Sequence, residues 1–285
     1  MLRRDGLELQ TPEENVRLAV RAVGAPSGVE WLPDTVVLLA MKTQDTAAAL
    51  RDLAAAAPRD TAVVCAPTGV ENERLALRMF PNVYGMCVML PAAHLEPGVV
   101  QAYGVPNTGL LDVGRYPTGV DPCAERVAAE LTAARCSSEP LVDIMRSKYR
   151  KLIMNLGNAI EAASGTAARS TDLYARAAAE GEAVLAAAGI DAASPEEDAA
   201  RRGDLMRMQP IGGDRRGGGS SWQSLARGTG AIEVDYLNGE IVLLGREHGV
   251  PTPLNAGLQR VANRLARDRV APGSMTVEQL EAELV

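Results

Sequence analysis

The chain has 285 residues, of which 47% are hydrophobic, so it can bury one large core or two ordinary ones and is not globally disordered. Its net charge of −7 argues against nucleic acid or an anionic membrane as the main partner. No apolar run reaches the length of a membrane span, and the polar N-terminal stretch lacks the apolar core of a signal peptide. We therefore expect a cytoplasmic protein whose partner is a small molecule.

Cysteine and histidine usage argues against a metal site. The four cysteines are widely spread and form no CxxC pair, and the only two histidines, His94 and His248, belong to no ligand motif. The sequence therefore predicts reduced thiols and neither a structural zinc site nor histidine-based metal catalysis.

The first half of the chain alternates strand-like and helix-like segments. Continuous apolar runs at 35–41, 61–66 and 82–90 are separated by helical stretches at 45–57 and 71–80, and shorter strand-like runs follow at 98–104 and 109–114. Buried strands that alternate with helices of this length indicate an α/β domain with a parallel sheet.

The second half reads as nearly all helix. Ser194 to Glu197 form a capping box with proline at the first helical position, and Thr252-Pro253 and the pair Thr276 and Gln279 mark two further helix starts. The character changes near residue 138, which predicts an α/β domain over 1–137 and a helical domain over 138–285. The glycine-rich stretch 211–221 follows no predicted strand and lacks the G-x-G-x-x-G spacing, so we interpret it as a connection between helices.

The stretch KYRKLIMNLGNAIEAASG (148–165) is helical in pattern but carries polar residues inside an apolar run. On a continuous helix, Asn155 and Asn158 lie about 40° and 20° to either side of Lys151, so the three share one stripe. Such a stripe either faces water or forms part of a binding site. Lys148 lies near the same stripe and competes with Lys151 for any catalytic role, although only Lys151 has asparagine four residues later.

Three segments resemble the ketopantoate reductase (2-dehydropantoate 2-reductase) family. DTVVLLAMKTQDTAAAL (34–50) is similar to the family's strand that ends in a lysine facing the cofactor. KYRKLIMNLGNA (148–159) is similar to its K-x-x-x-N helix, and SSWQSLARGTGAIEVDYLNGEIVLLGREHGVPTPLN (220–255) resembles its C-terminal signature. The resemblance implies a Rossmann-like NADP-binding domain followed by an all-α domain of the ketopantoate reductase/6-phosphogluconate dehydrogenase type.

The resemblance also implies an activity and a set of site residues. Members of the family reduce the ketone of 2-dehydropantoate to pantoate with NADPH, on the route to pantothenate and coenzyme A. The implied roles are catalysis by Lys151 with Glu233 as its partner, substrate binding by Asn155, Asn158 and Ser221, and cofactor binding by Lys42 and Thr68. Thr68 departs from the family pattern, which often has asparagine there, so the substrate is either ketopantoate or a related 2-keto acid.

Ordinary structural roles remain open for several of these residues. Ser220 and Gln223 have capping-box spacing, so the two serines 220 and 221 could simply cap a helix. Glu233 could be a first-turn charge that the helix dipole favours, and Lys42 an ordinary lysine at a strand end.

A G-x-G-x-x-G fingerprint after a first strand is absent from the sequence. The chain begins MLRRDGLELQ, which resembles the stretch after the family's second strand, so we expect a first βαβ unit to be missing. Either the assigned start is too late or the chain is truncated. The alternative function is a truncated, non-catalytic relative that acts as a binding or scaffold protein. We expect no nucleic-acid or membrane partner and consider a homodimer.

Overall fold

A computed structural model describes residues 2–284, which form two compact units. The first unit comprises the chain up to Lys148 together with Ala193–Arg216, and the second comprises Tyr149–Ala192 and the chain from Gly217 onward. The first holds the sheets and the second is helical, which confirms the predicted fold class. Whether the predicted ranges 1–137 and 138–285 are the true domain limits stays a prediction.

The main sheet of the first unit has five strands in the order β10-β9-β5-β4-β3. Its strands are β3 (Val36–Leu39), β4 (Ala62–Cys65), β5 (Val83–Met89), β9 (Gly109–Arg115) and β10 (Cys136–Ser137). The predicted parallel arrangement is right for β3, β4 and β5, but β9 runs antiparallel to β5. No helix lies between β5 and β9, so the chain lacks the crossover that a parallel neighbour requires.

Helices cover both faces of this sheet. Val63 and Cys65 of β4 pack with Leu50 and Phe80 on one face, whereas Val64, between them, packs against Val127 of the helix on the other face. Because neighbouring strand residues point to opposite faces, a strand buried on both sides must be apolar at every position. This explains the uninterrupted apolar run of β4 at 61–66, whereas β3 at the sheet edge leaves Leu38 exposed.

The remaining elements of the first unit are smaller. A second sheet has the order β2-β1-β7-β6, and β11 pairs with β8 in a two-stranded sheet. The strands are β1 (Leu7–Gln10), β2 (Asn15–Leu18), β6 (Ala92–Ala93), β7 (Val99–Ala102), β8 (Gly104–Pro106) and β11 (Met206–Met208). The helices are α1 (Leu2–Asp5), α2 (Thr43–Ala54), α3 (Asn72–Leu77), α4 (Pro122–Ala133) and α8 (Pro195–Arg202), with a 3-10 turn at Pro26–Gly28.

The second unit is built from helices around an apolar core that includes Ile160, Leu173, Leu258 and Leu265. Its helices are α5 (Ile144–Asn155, from Tyr149 onward), α6 (Asn158–Ser164), α7 (Asp172–Ala187), α9 (Ser220–Ala226), α10 (Asn238–His248), α11 (Pro253–Arg267) and α12 (Val277–Leu284), with 3-10 turns at Thr166–Ser170 and Glu233–Tyr236. Among residues 2–284, no helix combines the length and apolar character that a membrane crossing needs.

The predicted helix starts are confirmed, but one is capped by an unexpected group. Ser194 and Glu197 form the capping box before α8, and Thr276 with Gln279 exchange the same pair of bonds before α12. At α11, the side chain of Thr252 accepts no capping hydrogen bond. The carboxylate of Glu180 instead accepts hydrogen bonds from the backbone amides of Leu254 and Asn255.

Two local predictions were wrong, and one role that the sequence left open is not found. The helix of 148–165 is interrupted at residues 156–157, where the ring of Tyr174 would lie 2.9 Å from a Cβ on Gly157. Glycine is a poor helix former, and its small size admits this ring. The stretch 211–221 does follow a strand, β11, which is too short to show in the apolar pattern. Finally, Ser220 is the first helical residue of α9, and Gly219 occupies the N-cap position.

Candidate active site

The two residues predicted to contact the cofactor follow neighbouring strands at equivalent positions. Leu39 of β3 pairs with Cys65 of β4, so Lys42 and Thr68 each lie three residues beyond a paired strand end. Both side chains are half-buried, and Lys42 occupies the N-cap position of α2. The carboxyl ends of parallel strands are the usual place for ligands in such sheets, because the loops there share one edge.

A buried amide links the two segments that carry these residues. The amide nitrogen of Asn72 donates to the hydroxyl of Thr43 at 3.1 Å and to the carbonyl of Gly69 at 2.7 Å. The hydroxyl of Thr46 donates to the amide oxygen of Asn72 at 2.7 Å. Asn72 is fully buried, so the loop after β4 and the first turn of α2 are held as one piece.

One buried acceptor beside these residues lacks a partner. Among the described residues, nothing donates a hydrogen bond to Oε1 of Gln44, two positions after Lys42. A buried polar atom without a partner is costly unless a ligand or water completes it. The cation of Lys42, the hydroxyl of Thr68 and this acceptor suit a ligand that carries both negative charge and hydrogen-bond donors.

Lys148 is committed to interactions inside the first unit. Its side chain is 1% exposed, and its ammonium nitrogen lies 2.6 Å from a carboxylate oxygen of Glu73, which is fully buried. The same ammonium donates to the carbonyls of Cys65 at 3.2 Å and Pro67 at 2.9 Å. Burial raises the pKa of Glu73 above its ordinary value, and the ammonium of Lys148 opposes that rise.

In the second unit, Lys151 and Asn155 lie one turn apart on α5, at positions four residues apart that share a helix face. Lys151 is half-buried and Asn155 is 6% exposed. The break after Asn155 therefore leaves Lys151 and Asn155 on the same helix face, whereas Asn158 is the first residue of the separate helix α6.

Asn158 belongs to a polar cluster that reaches the start of α9. The guanidinium of Arg169 donates to the amide oxygen of Asn158 at 2.7 Å, to a carboxylate oxygen of Glu161 at 3.2 Å and to a backbone carbonyl of α5. The other carboxylate oxygen of Glu161 accepts the backbone N–H of Gly219 at 2.9 Å. A Cβ on Gly219 would lie 3.6 Å from the amide oxygen of Asn158, so Asn158 is brought close to the segment that leads to Ser221.

Ser221 and Glu233 are both buried polar residues of the second unit, at 3% and 5% exposure. Ser221 is the second residue of α9, which packs against α6, and Glu233 opens a 3-10 turn that packs against α10 and α11. The α9 helix thus brings Ser221 towards the Asn158 cluster through Gly219.

The residues that the sequence did not single out are Glu73, Asn72, Glu161 and Arg169. A lone charge inside an apolar helix was the available signal for Glu161, since NAIEAAS is otherwise small or apolar and the residue is 7% exposed. Glu73, the partner of Lys148, gave no such signal, because it lies between the charged residues Glu71 and Arg74 and does not stand out as a lone charge.

Comparison with known proteins identifies relatives over most of the chain. The profile of ketopantoate reductase PanE/ApbA matches residues 1–117, and that of the ketopantoate reductase PanE/ApbA C-terminal domain matches residues 143–266. The 2-dehydropantoate 2-reductase of Halobacterium salinarum is 27% identical over 274 residues, which cover 92% of this chain and 87% of that protein.

Two solved structures share the fold. A PanE/ApbA family ketopantoate reductase from Ralstonia eutropha superposes with a TM-score of 0.74 at 26% identity, over 94% of this chain and 87% of that one. A D-mandelate dehydrogenase, solved with NADH and anilino(oxo)acetate, superposes with a TM-score of 0.77 at 23% identity and the same coverage.

Proposed function

Because the chain belongs to the ketopantoate reductase family, we propose that it reduces 2-dehydropantoate, or a related 2-keto acid, to the 2-hydroxy acid with NADPH as the reductant. One observation carries the proposal. Lys151 is half-buried and lies one turn from the buried Asn155, whereas Lys148, the competing lysine, is buried with its ammonium on Glu73 and two carbonyls. A cation beside an amide suits a substrate that carries a carbonyl next to a carboxylate.

Each residue has a task in the reduction. NADPH, when bound, supplies the hydride that reduces the carbonyl carbon. Negative charge then develops on the carbonyl oxygen, where the ammonium of Lys151 stabilises it and donates the proton that completes the hydroxyl. Glu233 is the carboxylate that keeps Lys151 cationic in this scheme.

The remaining polar groups hold the substrate. The amide of Asn155 and the hydroxyl of Ser221 bind its carboxylate and hydroxyl oxygens. Asn158 presents its amide nitrogen, since its amide oxygen already accepts from Arg169. Orienting the ketone in this way lowers the activation barrier, because the bound substrate has already lost the translational and rotational freedom that the reaction would otherwise cost.

The cofactor is assigned to the first unit on the chemistry of its donor set. The cation of Lys42 attracts phosphate, the hydroxyl of Thr68 both donates and accepts, and Oε1 of Gln44 accepts from a ribose hydroxyl or a carboxamide. These roles keep Lys42 and Thr68 as the proposed cofactor residues.

A direct assay tests the proposal. We expect the purified chain to consume NADPH when 2-dehydropantoate is added, at a rate proportional to enzyme, and to bind NADPH saturably in a fluorescence titration. Benzoylformate, the keto acid that corresponds to mandelate, and NADH should be run in parallel to rank substrate and cofactor. Absence of saturable binding of either nucleotide would refute the reductase and favour a non-catalytic binding protein.

A further inference from the structure

The loop that follows β4 is held by donors on both sides of Thr68. Lys148 donates to the carbonyls of Cys65 and Pro67, and Asn72 donates to the carbonyl of Gly69. Thr68 therefore lies between two carbonyls whose positions are fixed by buried side chains. Loops at the edge of a sheet are usually among the more mobile parts of a fold.

The ammonium of Lys148 reaches these carbonyls because Glu73 compensates its charge. A buried cation is very costly unless it is paired and hydrogen-bonded. Here the carboxylate of Glu73 lies 2.6 Å away, and the two carbonyls take further donors of the ammonium. Gly85 of β5 provides space for this ion pair. A Cβ at that position would lie 3.3 Å from the carboxylate of Glu73 and 3.4 Å from Cδ of Lys148.

Stability alone is a weak explanation for such a pair. Apolar residues of the same size often replace a buried ion pair without loss, because removing two charges from water costs about as much as their attraction returns. The hydrogen bonds to the loop are what an apolar pair could not provide. They have a defined geometry and charge-assisted strength.

We propose that Lys148, held by Glu73, and Asn72 are positioning residues that fix the loop 66–70 in the conformation that receives the nicotinamide cofactor. The inference rests on the proposed function, because it concerns the same cofactor site. A loop that is already ordered loses less conformational entropy when a ligand binds, so the fixed loop binds more tightly than a mobile one.

The test compares NADPH dissociation constants of three variants with the wild-type protein. The double variant Glu73→Gln/Lys148→Met removes both charges and so leaves no buried ion unpaired. Asn72→Ala removes the hydrogen bond to the other side of the loop, and it provides the test if the double variant fails to fold. The control is Asp112→Asn/Arg201→Met, which removes a second, largely buried ion pair of the same unit. It joins Asp112 of β9, two strands from β4, to Arg201 of α8 at 2.6 Å.

We expect the dissociation constant for NADPH to rise at least about tenfold in the double variant and severalfold in Asn72→Ala, and to change less than twofold in the control. KM for NADPH should rise in parallel, whereas kcat at saturating NADPH should change little. Hydrogen exchange of the backbone amides of Ala66 and of residues 68–70, measured without cofactor, should quicken in both loop variants.

Two results would overturn the inference, and they are distinguishable. A folded double variant with wild-type NADPH affinity would show that the pair is merely structural, since a structural role lowers the melting temperature without moving the affinity of the folded protein. Wild-type protein that fails to bind NADPH would refute the proposed cofactor and, with it, the inference. Because that second result is measured on the wild-type protein, failure of the proposed function can be told apart from failure of the inference.

Discussion

Two lysines that lie three residues apart on α5 differ in solvent exposure. Lys148 is 1% exposed and its ammonium is bound to Glu73, Cys65 and Pro67, whereas Lys151 is half-buried. A general acid must reach the substrate, so burial argues against Lys148 for the role that we propose for Lys151. The sequence already favoured Lys151 through Asn155, but the reason for excluding Lys148 lies in Glu73, 75 positions earlier in the chain.

Replacing Lys151 by alanine should lower kcat about 10²–10⁴-fold, because the variant loses both the charge that stabilises the developing oxyanion and the proton donor. Steady-state assays with 2-dehydropantoate at saturating NADPH measure the effect. Lys151→Arg is the matched variant, since it keeps the charge but cannot release a proton near neutral pH. A Lys151→Ala enzyme that retains a third of the wild-type kcat would contradict the assignment.

Helix α4 starts at a carboxylate with several partners. Asp121 accepts hydrogen bonds from the backbone amides of Cys123 and Ala124, from the hydroxyl of Tyr84 and from the guanidinium of Arg115 at 2.6 Å. Burial alone would raise the pKa of Asp121, but these donors outweigh it and hold the pKa below its ordinary value. Asp121 therefore stabilises the fold above a pH of about 4, and this contribution is lost as the pH falls through the lowered pKa.

Asp121→Ala should destabilise the protein by about 1–2 kcal/mol at neutral pH, because α4 loses its N-cap. Asp121→Asn keeps a capping oxygen and should cost less than about 1 kcal/mol, since its ion pair with Arg115 is partly exposed. Urea unfolding of both variants as a function of pH measures the effect. The gap between Asp121→Asn and the wild type should narrow below a pH of about 4, and a gap that widens there would disprove the assignment.

The start of helix α9 is bound by the carboxylate of Glu161 and not by a serine side chain. The carboxylate of Glu161 accepts the N–H of Gly219 and also binds Arg169, which holds Asn158. We expect Glu161→Ala to raise KM for the keto acid roughly tenfold, because Ser221 and Asn158 lose their common support, while the NADPH dissociation constant stays unchanged. Glu161→Gln keeps an acceptor for Gly219 and should recover most of the affinity. Equal KM values in all three proteins would rule out this support.

Local signals explain why some elements could be predicted and others could not. The capping box at Ser194 and the turn at Gly249, whose φ is 70°, depend on residues only a few positions apart, so the sequence shows them directly. The cap of α11 by Glu180 and the cap of α9 by Glu161 join residues more than 50 positions apart. Such contacts exist only after the chain has folded, and nothing in the local pattern indicates them.

Thiol reactivity reports on the packing of the first unit, which contains all four cysteines. Cys65 and Cys87 are buried in the first unit, whereas Cys123 and Cys136 are partly exposed. Burial raises the pKa of the Cys65 thiol, and a neutral thiol is a poor nucleophile. We expect an aromatic disulfide reagent at mild alkaline pH to titrate Cys123 and Cys136 in the native protein, with Cys136 slowed because burial also raises its pKa, and the other two thiols only after unfolding. Four equally fast thiols would show that the sheet is not packed as described.

The burial of Lys148 also decides how the protein responds to amine acylation. Lysine occurs at only three positions among the 29 basic residues, namely 42, 148 and 151. An acylating reagent applied to the native protein should modify the half-buried Lys42 and Lys151 before Lys148, which is buried inside the first unit. One of the two belongs to the proposed cofactor residues and the other is the proposed proton donor. Peptide masses after brief acylation, with and without nucleotide or keto acid, therefore map which ligand shields which amine on the unmutated protein.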